Sequence, residues 1–175
     1  MCKFIRIKSY KALQNNEKYS KYIEKINELY QKYSQFLFDD FFVTFSNESE
    51  NFITILVPYF WIITDRNDNF AGFVFLDDFV GNGNKFFSAE VSVCFEKKYW
   101  GSFVRYCSKI FFKMCFDVFG FYKIKAQFYP QNRFAQRLIT DCGFEYEVTL
   151  PKETLRQGQI QNIVVCSLYR KYYYN

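Results

Sequence analysis

Residues 89–106 read AEVSVCFEKKYWGSFVRY, and this stretch decides the fold. Its first part continues a run of β-branched and aromatic residues, which predicts a strand over 86–95. From Gly101 onward, apolar residues recur at steps of three and four, which predicts a helix that stops at Gly120. A further strand is predicted over 123–129. We expect the strand, helix and strand to form a parallel β-α-β unit with a right-handed crossover.

The residues before this unit predict three more strands and one helix. The helix is predicted from Tyr19 to Leu37, where apolar residues again recur at steps of three and four between Lys, Glu and Asn. Alternation and turn-forming residues predict strands over 3–8, 52–64 and 70–80, and turns or loops over 46–51, 65–69 and 81–84.

The residues after the unit predict a short helix over 132–141, closed by Gly143, and two final strands over 144–149 and 163–170. No linker or repeat interrupts the chain, so we expect residues 1–175 to form a single domain. The element order predicts an α/β fold with a mixed, mostly antiparallel sheet. A parallel β-α-β unit is expected at its centre and helices on both faces.

The composition excludes several classes of protein. The net charge of +5 is dispersed, without the Lys/Arg block that follows a phosphate backbone, so no nucleic-acid partner is expected. Histidine is absent, which removes His-assisted nucleophiles and argues against a metal site. The 24 Phe and 15 Tyr, with abundant Ile, Lys and Asn, are typical of an AT-rich genome such as that of a low-GC bacterium or its phage.

The cysteines and the apolar segments indicate where the protein resides. None of the six cysteines forms a C-x-x-C pair, and most lie in apolar runs, so we expect buried, reduced thiols. The N-terminus is charged and strand-like, unlike a signal peptide. The longest apolar stretch, 52–64, contains Pro58 and is too short to span a bilayer. A soluble, cytoplasmic protein without a membrane partner is therefore expected, with a virion as the alternative location.

Three pieces of the sequence resemble the GNAT acetyltransferase family. They are most similar to the branch that contains the ribosomal-protein N-terminal acetyltransferases. The resemblance covers about 70–172. In the first piece the matching residues are Ala89, Glu90, Val91, Tyr99, Trp100 and Gly101; in the second they are Asn132, Ala135, Gly143, Phe144 and Glu147; in the third, Arg156 and Gly158 precede the last strand.

The resemblance implies acetyl-coenzyme A as cofactor, with its pyrophosphate at the N-terminus of the helix that follows Gly101. A helix N-terminus offers unpaired N–H groups to an anion, and glycine lets the backbone come close to it. The alternative is an ordinary strand-to-helix turn. In the family the loop has a second glycine where Phe103 stands, and the strand has a glycine where Ser92 stands. The expected phosphate-binding residues are Lys97, Lys98, Gly101, Ser102 and Phe103.

The resemblance also implies roles in catalysis. Glu90 is the candidate base for the attacking amine, or else a strand carboxylate paired with Lys or Arg. The backbone N–H of Val93 or Cys94 is expected to polarise the thioester carbonyl. Asn132 is expected either to contact the pantetheine arm or to cap a helix. Many family members place an acidic tyrosine where this sequence has Ile139.

Two functions are consistent with these residues. The first is an acetyl-coenzyme A-dependent N-acetyltransferase, whose acceptor is a primary amine on a small molecule, an amino sugar or a protein N-terminus. The second is a catalytically inactive GNAT-fold module that binds protein partners, for example inside a phage particle. Phe103, Ser92 and Ile139 favour the second function, because each departs from the family pattern.

Overall fold

The computed structural model describes residues 1–37, 39–40, 49–82 and 85–173. The strands are β1 (Cys2–Ile7), β2 (Phe60–Asp65), β3 (Phe70–Gly81), β4 (Phe86–Phe95), β5 (Lys123–Phe128), β6 (Glu145–Arg156) and β7 (Gln159–Tyr169). The helices are α1 (Tyr10–Gln14), α2 (Tyr22–Leu37), α3 (Ser49–Leu56), α4 (Ser102–Asp117), α5 (Arg133–Asp141) and α6 (Arg170–Tyr173), and a short 3-10 helix, Lys97–Tyr99, precedes α4.

All seven strands belong to one sheet, in the order β1-β2-β3-β4-β5-β7-β6. Every neighbouring pair is antiparallel except β4 and β5, which are parallel and joined by α4. A parallel pair needs a crossover connection, and α4 provides it. The predicted mixed sheet with a central β-α-β unit is therefore confirmed.

Helices cover both faces of the sheet, as predicted. Buried residues of α4 and α5 pack with one face, and those of α1, α2 and α3 pack with the other. In α4 the buried positions Val104, Cys107, Phe111 and Cys115 follow the steps of three and four that predicted the helix. In the described ranges, no helix is long and apolar enough to cross a membrane.

The strand predicted over 52–64 is wrong in its first half. Residues up to Leu56 belong to α3, and β2 begins only at Phe60. Within α3 the buried residues Phe52, Ile53 and Leu56 are spaced one, three and four apart, which is one face of a helix. A short, wholly apolar run fits a buried helix as well as a buried strand. The loop predicted over 46–51 is helical from Ser49, and 46–48 lie outside the described residues.

The last two strands form a much longer hairpin than predicted. Instead of 144–149 and 163–170, β6 and β7 run up to a two-residue turn at Gln157 and Gly158. Their φ angles of 52° and 70° suit the tight turn of a twisted hairpin. Pro151 is tolerated because β6 is an edge strand and its register shifts between Leu150 and Thr154. The short helix α1 was not predicted, and residues 83 and 84 of the turn predicted over 81–84 lie outside the described residues.

We predict that Gly72→Ala destabilises the sheet at β3. A Cβ at this position would lie 2.1 Å from the backbone oxygen of Cys94, so two strands must move apart. The expected loss in free energy of unfolding is about 2–3 kcal/mol, measured by urea denaturation. Gly120→Ala is the control: within the described chain no atom lies within 4 Å of its Cβ position, and its φ of 70° costs only about 1 kcal/mol. An equal or smaller loss for Gly72→Ala would contradict this packing.

Candidate functional site

The parallel strands β4 and β5 pair over only three positions. Ser88, Ala89 and Glu90 lie opposite Lys123, Ile124 and Lys125. Beyond Glu90, β4 continues beside β3 and β5 continues beside β7, so the two strands diverge. We call the opening between residues 91–95 and 126–128 the gap.

The register determines which backbone groups face the gap. The N–H of Glu96 donates to the Ala71 oxygen at 2.9 Å, so even-numbered residues of β4 bond to β3. In the last parallel pair the N–H of Val91 bonds to the oxygen of Lys125, which lies opposite Glu90. The backbone groups of Val93 and Phe95 therefore face the gap. Of the two predicted thioester-polarising groups, Val93 faces the gap, whereas Cys94 pairs with Phe73 of β3.

Glu90 lies where β4 and β5 begin to diverge, on the sheet face that also carries α1, α2 and α3. Its carboxylate accepts a hydrogen bond of 2.6 Å from Nε2 of Gln127, the second residue past the last paired position of β5. Asp77 lies directly opposite Glu90 on β3. Lys125, also opposite Glu90, forms its ion pair with Asp78 instead. Among the described residues no Lys or Arg forms an ion pair with Glu90, so the structural alternative for this carboxylate is not observed.

The surroundings of Glu90 make its carboxyl group hold a proton more tightly. Burial, and then repulsion by Asp77, raise its pKa from 4.5 to about 7, although the Gln127 hydrogen bond and Lys125 act in the opposite direction. Burial and the charge of Asp78 likewise raise the pKa of Asp77 to about 6. Glu90 is therefore close to half ionised at neutral pH, which suits a group that accepts and releases a proton.

The loop after β4 ends at a helix terminus open to an anion. Gly101 is the N-cap of α4, with φ 102° and ψ −127°, a conformation that favours glycine. It offers no side chain to the first turn, so the N–H groups of Ser102 and Phe103 are left for another acceptor. In the described part of the chain no atom lies within 4 Å of where a Cβ of Gly101 would stand. The loop thus has the space and the donors that a pyrophosphate needs.

Phe103 lies on the side of α4 away from the gap. Its ring is 4.8 Å from that of Tyr99, and it lines an open cavity of about 390 Å³. The other lining residues are Met1, Asp65, Arg66, Asn67 and Tyr99. Asp65 ends β2, and β2 lies beyond β3 in the sheet. This cavity is therefore on the β3 side of β4, whereas the gap is on its β5 side.

The two lysines predicted to bind phosphate are both exposed and belong to the 3-10 helix before α4. Lys98 forms an ion pair with Glu96 at 2.6 Å, and its ammonium group lies 5.1 Å from the centre of the Tyr99 ring. Ser92 pairs with Phe75 of β3, so its backbone groups are directed away from the gap.

The N-terminus of α5 borders the gap on the β5 side. Asn132 caps this helix: its side-chain oxygen accepts from the N–H of Ala135 at 3.1 Å. Phe134, which is exposed, has its ring centre 4.3 Å from that of Trp100. Trp100 in turn donates its indole N–H to the gap-facing oxygen of Phe95 at 3.1 Å. Ile139 is buried in the core and supplies no proton.

Sequence reasoning missed two side chains around Glu90. Gln127 and Asp77 reach it only through the pairing of β4 with its two neighbours. The alternation of KIKAQF in β5 does indicate one polar face, which carries Lys123, Lys125 and Gln127. Nothing in that alternation indicates which carboxylate the face meets.

Comparison with known proteins shows the family of this chain. A family model described as Acetyltransferase (GNAT) domain matches residues 7–145. The chain belongs to the GNAT acetyltransferase family. No curated protein matches the chain.

Solved GNAT structures share this fold. A spermidine N-acetyltransferase from Vibrio cholerae, in complex with CoA and spermine, has 20% identity and a TM-score of 0.75, and the match covers 99% of this chain and 98% of that one. A GNAT-family acetyltransferase from Bacillus anthracis has 14% identity and a TM-score of 0.71, over 86% of this chain and 90% of that one.

Membership in the GNAT family implies acetyl-coenzyme A as the acetyl donor. The residues present fit this molecule. Within the described ranges, Gly101 and the first turn of α4 provide free N–H donors and open space, and the backbone of Val93 has no strand partner along the gap. A pantetheine arm can bond to such an edge as an added strand would.

The raised pKa of Glu90 predicts a stability that depends on pH. Folding disfavours the ionised carboxylate, so the native protein keeps this proton to a higher pH than the unfolded chain does. Stability is therefore lost as pH rises from about 4.5 to about 7. Glu90→Gln cannot ionise and should exceed the parent in free energy of unfolding by on the order of 2 kcal/mol at pH 8, with no gain near pH 4.

Urea denaturation at both pH values measures this difference. The matched control is Glu145→Gln, at an exposed position on β6. A gain at pH 8 that is the same in both variants, or absent from Glu90→Gln, would mean that Glu90 is not destabilised by its surroundings.

Proposed function

We propose that this protein is an N-acetyltransferase that moves the acetyl group of acetyl-coenzyme A to a primary amine, with Glu90 as general base. The observation that carries this proposal is the position of Glu90 where β4 and β5 diverge, beside an unpaired strand edge and with a pKa near 7. The coenzyme supplies a thioester, which is an activated acetyl group. The protein supplies a proton acceptor and a backbone donor next to it.

Glu90 accepts the proton that the amine must lose before it attacks. An alkyl ammonium group has a pKa of about 10.4, and the amine attacks only after that proton is lost. Raising the Glu90 pKa from 4.5 to about 7 makes transfer of the proton to this carboxylate easier by about 3 kcal/mol. Gln127 holds one carboxylate oxygen at 2.6 Å, which fixes the orientation of the group and leaves the other oxygen for the amine or a water molecule.

Beside Glu90, one backbone group is proposed to take part in the acyl transfer. The N–H of Val93 is directed into the gap, where it can stabilise negative charge on the carbonyl oxygen under attack. Ile139 supplies no acid, so the thiol would leave as a thiolate, whose pKa of about 8.5 makes it a tolerable leaving group. The nitrogen loses two protons in all: Glu90 passes the first to solvent before attack, and its carboxylate accepts the second as the carbon–sulfur bond breaks. Lys97, Lys98, Gly101, Ser102 and Phe103 stay the proposed phosphate-binding residues, Phe103 through its backbone N–H. Asn132 is proposed to act through α5, which it caps, rather than through its own contact with the cofactor.

Several expectations from the sequence stay proposals. The kinship with the ribosomal-protein N-terminal acetyltransferases rests on the sequence motifs alone. The single domain, the cytoplasmic location and the absence of a nucleic-acid partner rest on composition. The Vibrio cholerae structure contains CoA and spermine. A primary amine as acceptor is compatible with that neighbour.

Calorimetry with acetyl-coenzyme A separates this function from that of an inactive module. We expect the parent to bind with a micromolar dissociation constant, because Phe103 lies away from the gap. Phe103→Gly is expected to bind no more than several-fold more tightly. No binding by the parent, together with binding by Phe103→Gly, would instead indicate a scaffold whose cofactor loop has closed.

Glu90→Gln tests the base directly. We expect turnover to fall by about 100-fold or more, since a positioned base contributes about that much, while affinity for acetyl-coenzyme A stays within about twofold. Steady-state kinetics with one amine acceptor, run beside Glu145→Gln, measures the difference. In the parent, turnover should rise as pH increases through about 7, because the carboxylate must be ionised to accept a proton. Equal turnover in parent and Glu90→Gln would reject Glu90 as the base.

A further inference from the structure

Arg156 is held between two aromatic rings at the tip of the β6–β7 hairpin. Its guanidinium carbon lies 4.6 Å from the ring centre of Tyr129, just past β5, and 4.7 Å from that of Phe36, near the end of α2. Guanidinium groups stack well on aromatic faces, and two such faces fix the plane of this one.

This guanidinium has no anionic partner among the described residues. Its Nε–H is buried and finds no acceptor there, which is costly for a charged donor. The two acidic residues that follow α2 bond to other groups of the hairpin. Asp40 accepts from the backbone N–H groups of Gln157 and Gly158, each at 2.8 Å, and Asp39 accepts from the hydroxyl of Thr154 at 2.6 Å.

Arg156 lies on the same face of the sheet as Glu90, at the end where β4 and β5 diverge. Tyr129 follows Gln127 by two residues, so their side chains share a face and lie roughly 7 Å apart along the strand. Gln127 bonds to Glu90 at 2.6 Å, and Tyr129 contacts Arg156. The base and the guanidinium therefore each contact a side chain on the same face of β5 and the residues just after it. Tyr129, Ile163 and Val165 form a buried apolar cluster on the same face.

We propose that Arg156 binds a carboxylate of the acceptor, so that the substrate is a primary amine carrying a carboxylate several bonds away, such as an ω-amino acid or a short peptide. This proposal rests on the proposed acetyltransferase function. A planar guanidinium matches the two oxygens of a carboxylate, which its terminal N–H groups can bind as a pair. The net charge of +5 favours an anionic group as well.

Matched acceptors test the proposal. We would measure kcat and KM for ω-amino carboxylates of increasing length, for the corresponding carboxamides and for spermidine. The proteins are the parent, Arg156→Gln, Arg156→Lys and the control Arg170→Gln, which alters an exposed arginine after β7. We expect the parent to favour a carboxylate over its carboxamide by about 10- to 100-fold in kcat/KM, as a charged hydrogen bond provides.

Each variant has a distinct expected outcome. Arg156→Gln should lose the preference through a higher KM for the carboxylate, with unchanged kinetics for the carboxamide. Arg156→Lys should keep part of the preference, since the charge remains but the planar fork is lost. If Arg156→Gln fails to fold, Arg156→Lys still tests the role of the guanidinium. Arg170→Gln should behave like the parent.

Three results would overturn the proposal: equal use of carboxylate and carboxamide by the parent, a preference that survives in both Arg156 variants, or a preference for spermidine. Each of these leaves the acetyltransferase function standing. Failure of the parent to acetylate any of these amines would count against that function and the Arg156 proposal together.

Discussion

The early end of pairing between β4 and β5 is the constraint on which the site depends. Three paired positions hold the two strands parallel, and beyond Glu90 each strand keeps only its other neighbour. Among the described strands, the gap leaves the backbone groups of Val93 without a strand partner, and α4 and α5 begin on either side of its wide end. An unpaired edge within a sheet would be a liability in most folds, because it is a template for another strand. Here we propose that the edge receives the extended arm of the GNAT acetyl donor.

The electrostatics of the site follow from the same geometry. Antiparallel pairing with β3 brings Asp77 opposite Glu90 on one side, and parallel pairing with β5 brings Lys125 opposite Glu90 on the other side. Since Lys125 pairs with Asp78, burial and the nearby carboxylate act on Glu90 without a compensating ion pair, and its pKa rises to about 7. The cost in stability at neutral pH and the readiness to accept a proton are thus two consequences of one arrangement.

The sequence predicts the elements around the site better than the contacts within it. The helix α4 and the parallel unit follow from local periodicity, because every turn of α4 buries residues on one side. The first half of the apolar run over 52–64 was assigned wrongly, since a continuous apolar run has no period with which to separate helix from strand. The contact of Gln127 with Glu90 and the stacking of Arg156 on Phe36 join residues that are far apart in the chain. They depend on register and on the length of a hairpin, neither of which local pattern specifies.

The most direct test of the gap is amide hydrogen exchange by NMR, with and without coenzyme A. The N–H group of Val93 faces the gap, whereas those of Ser92 and Cys94 bond to β3 and provide an internal reference. The account predicts that coenzyme A slows exchange at Val93, and at Ser102 and Phe103 in the first turn of α4, while the exchange rates at Ser92 and Cys94 change little. Unchanged exchange at Val93, with protection confined to the cavity around Asp65 and Asn67, would contradict the assignment of the gap as the cofactor site.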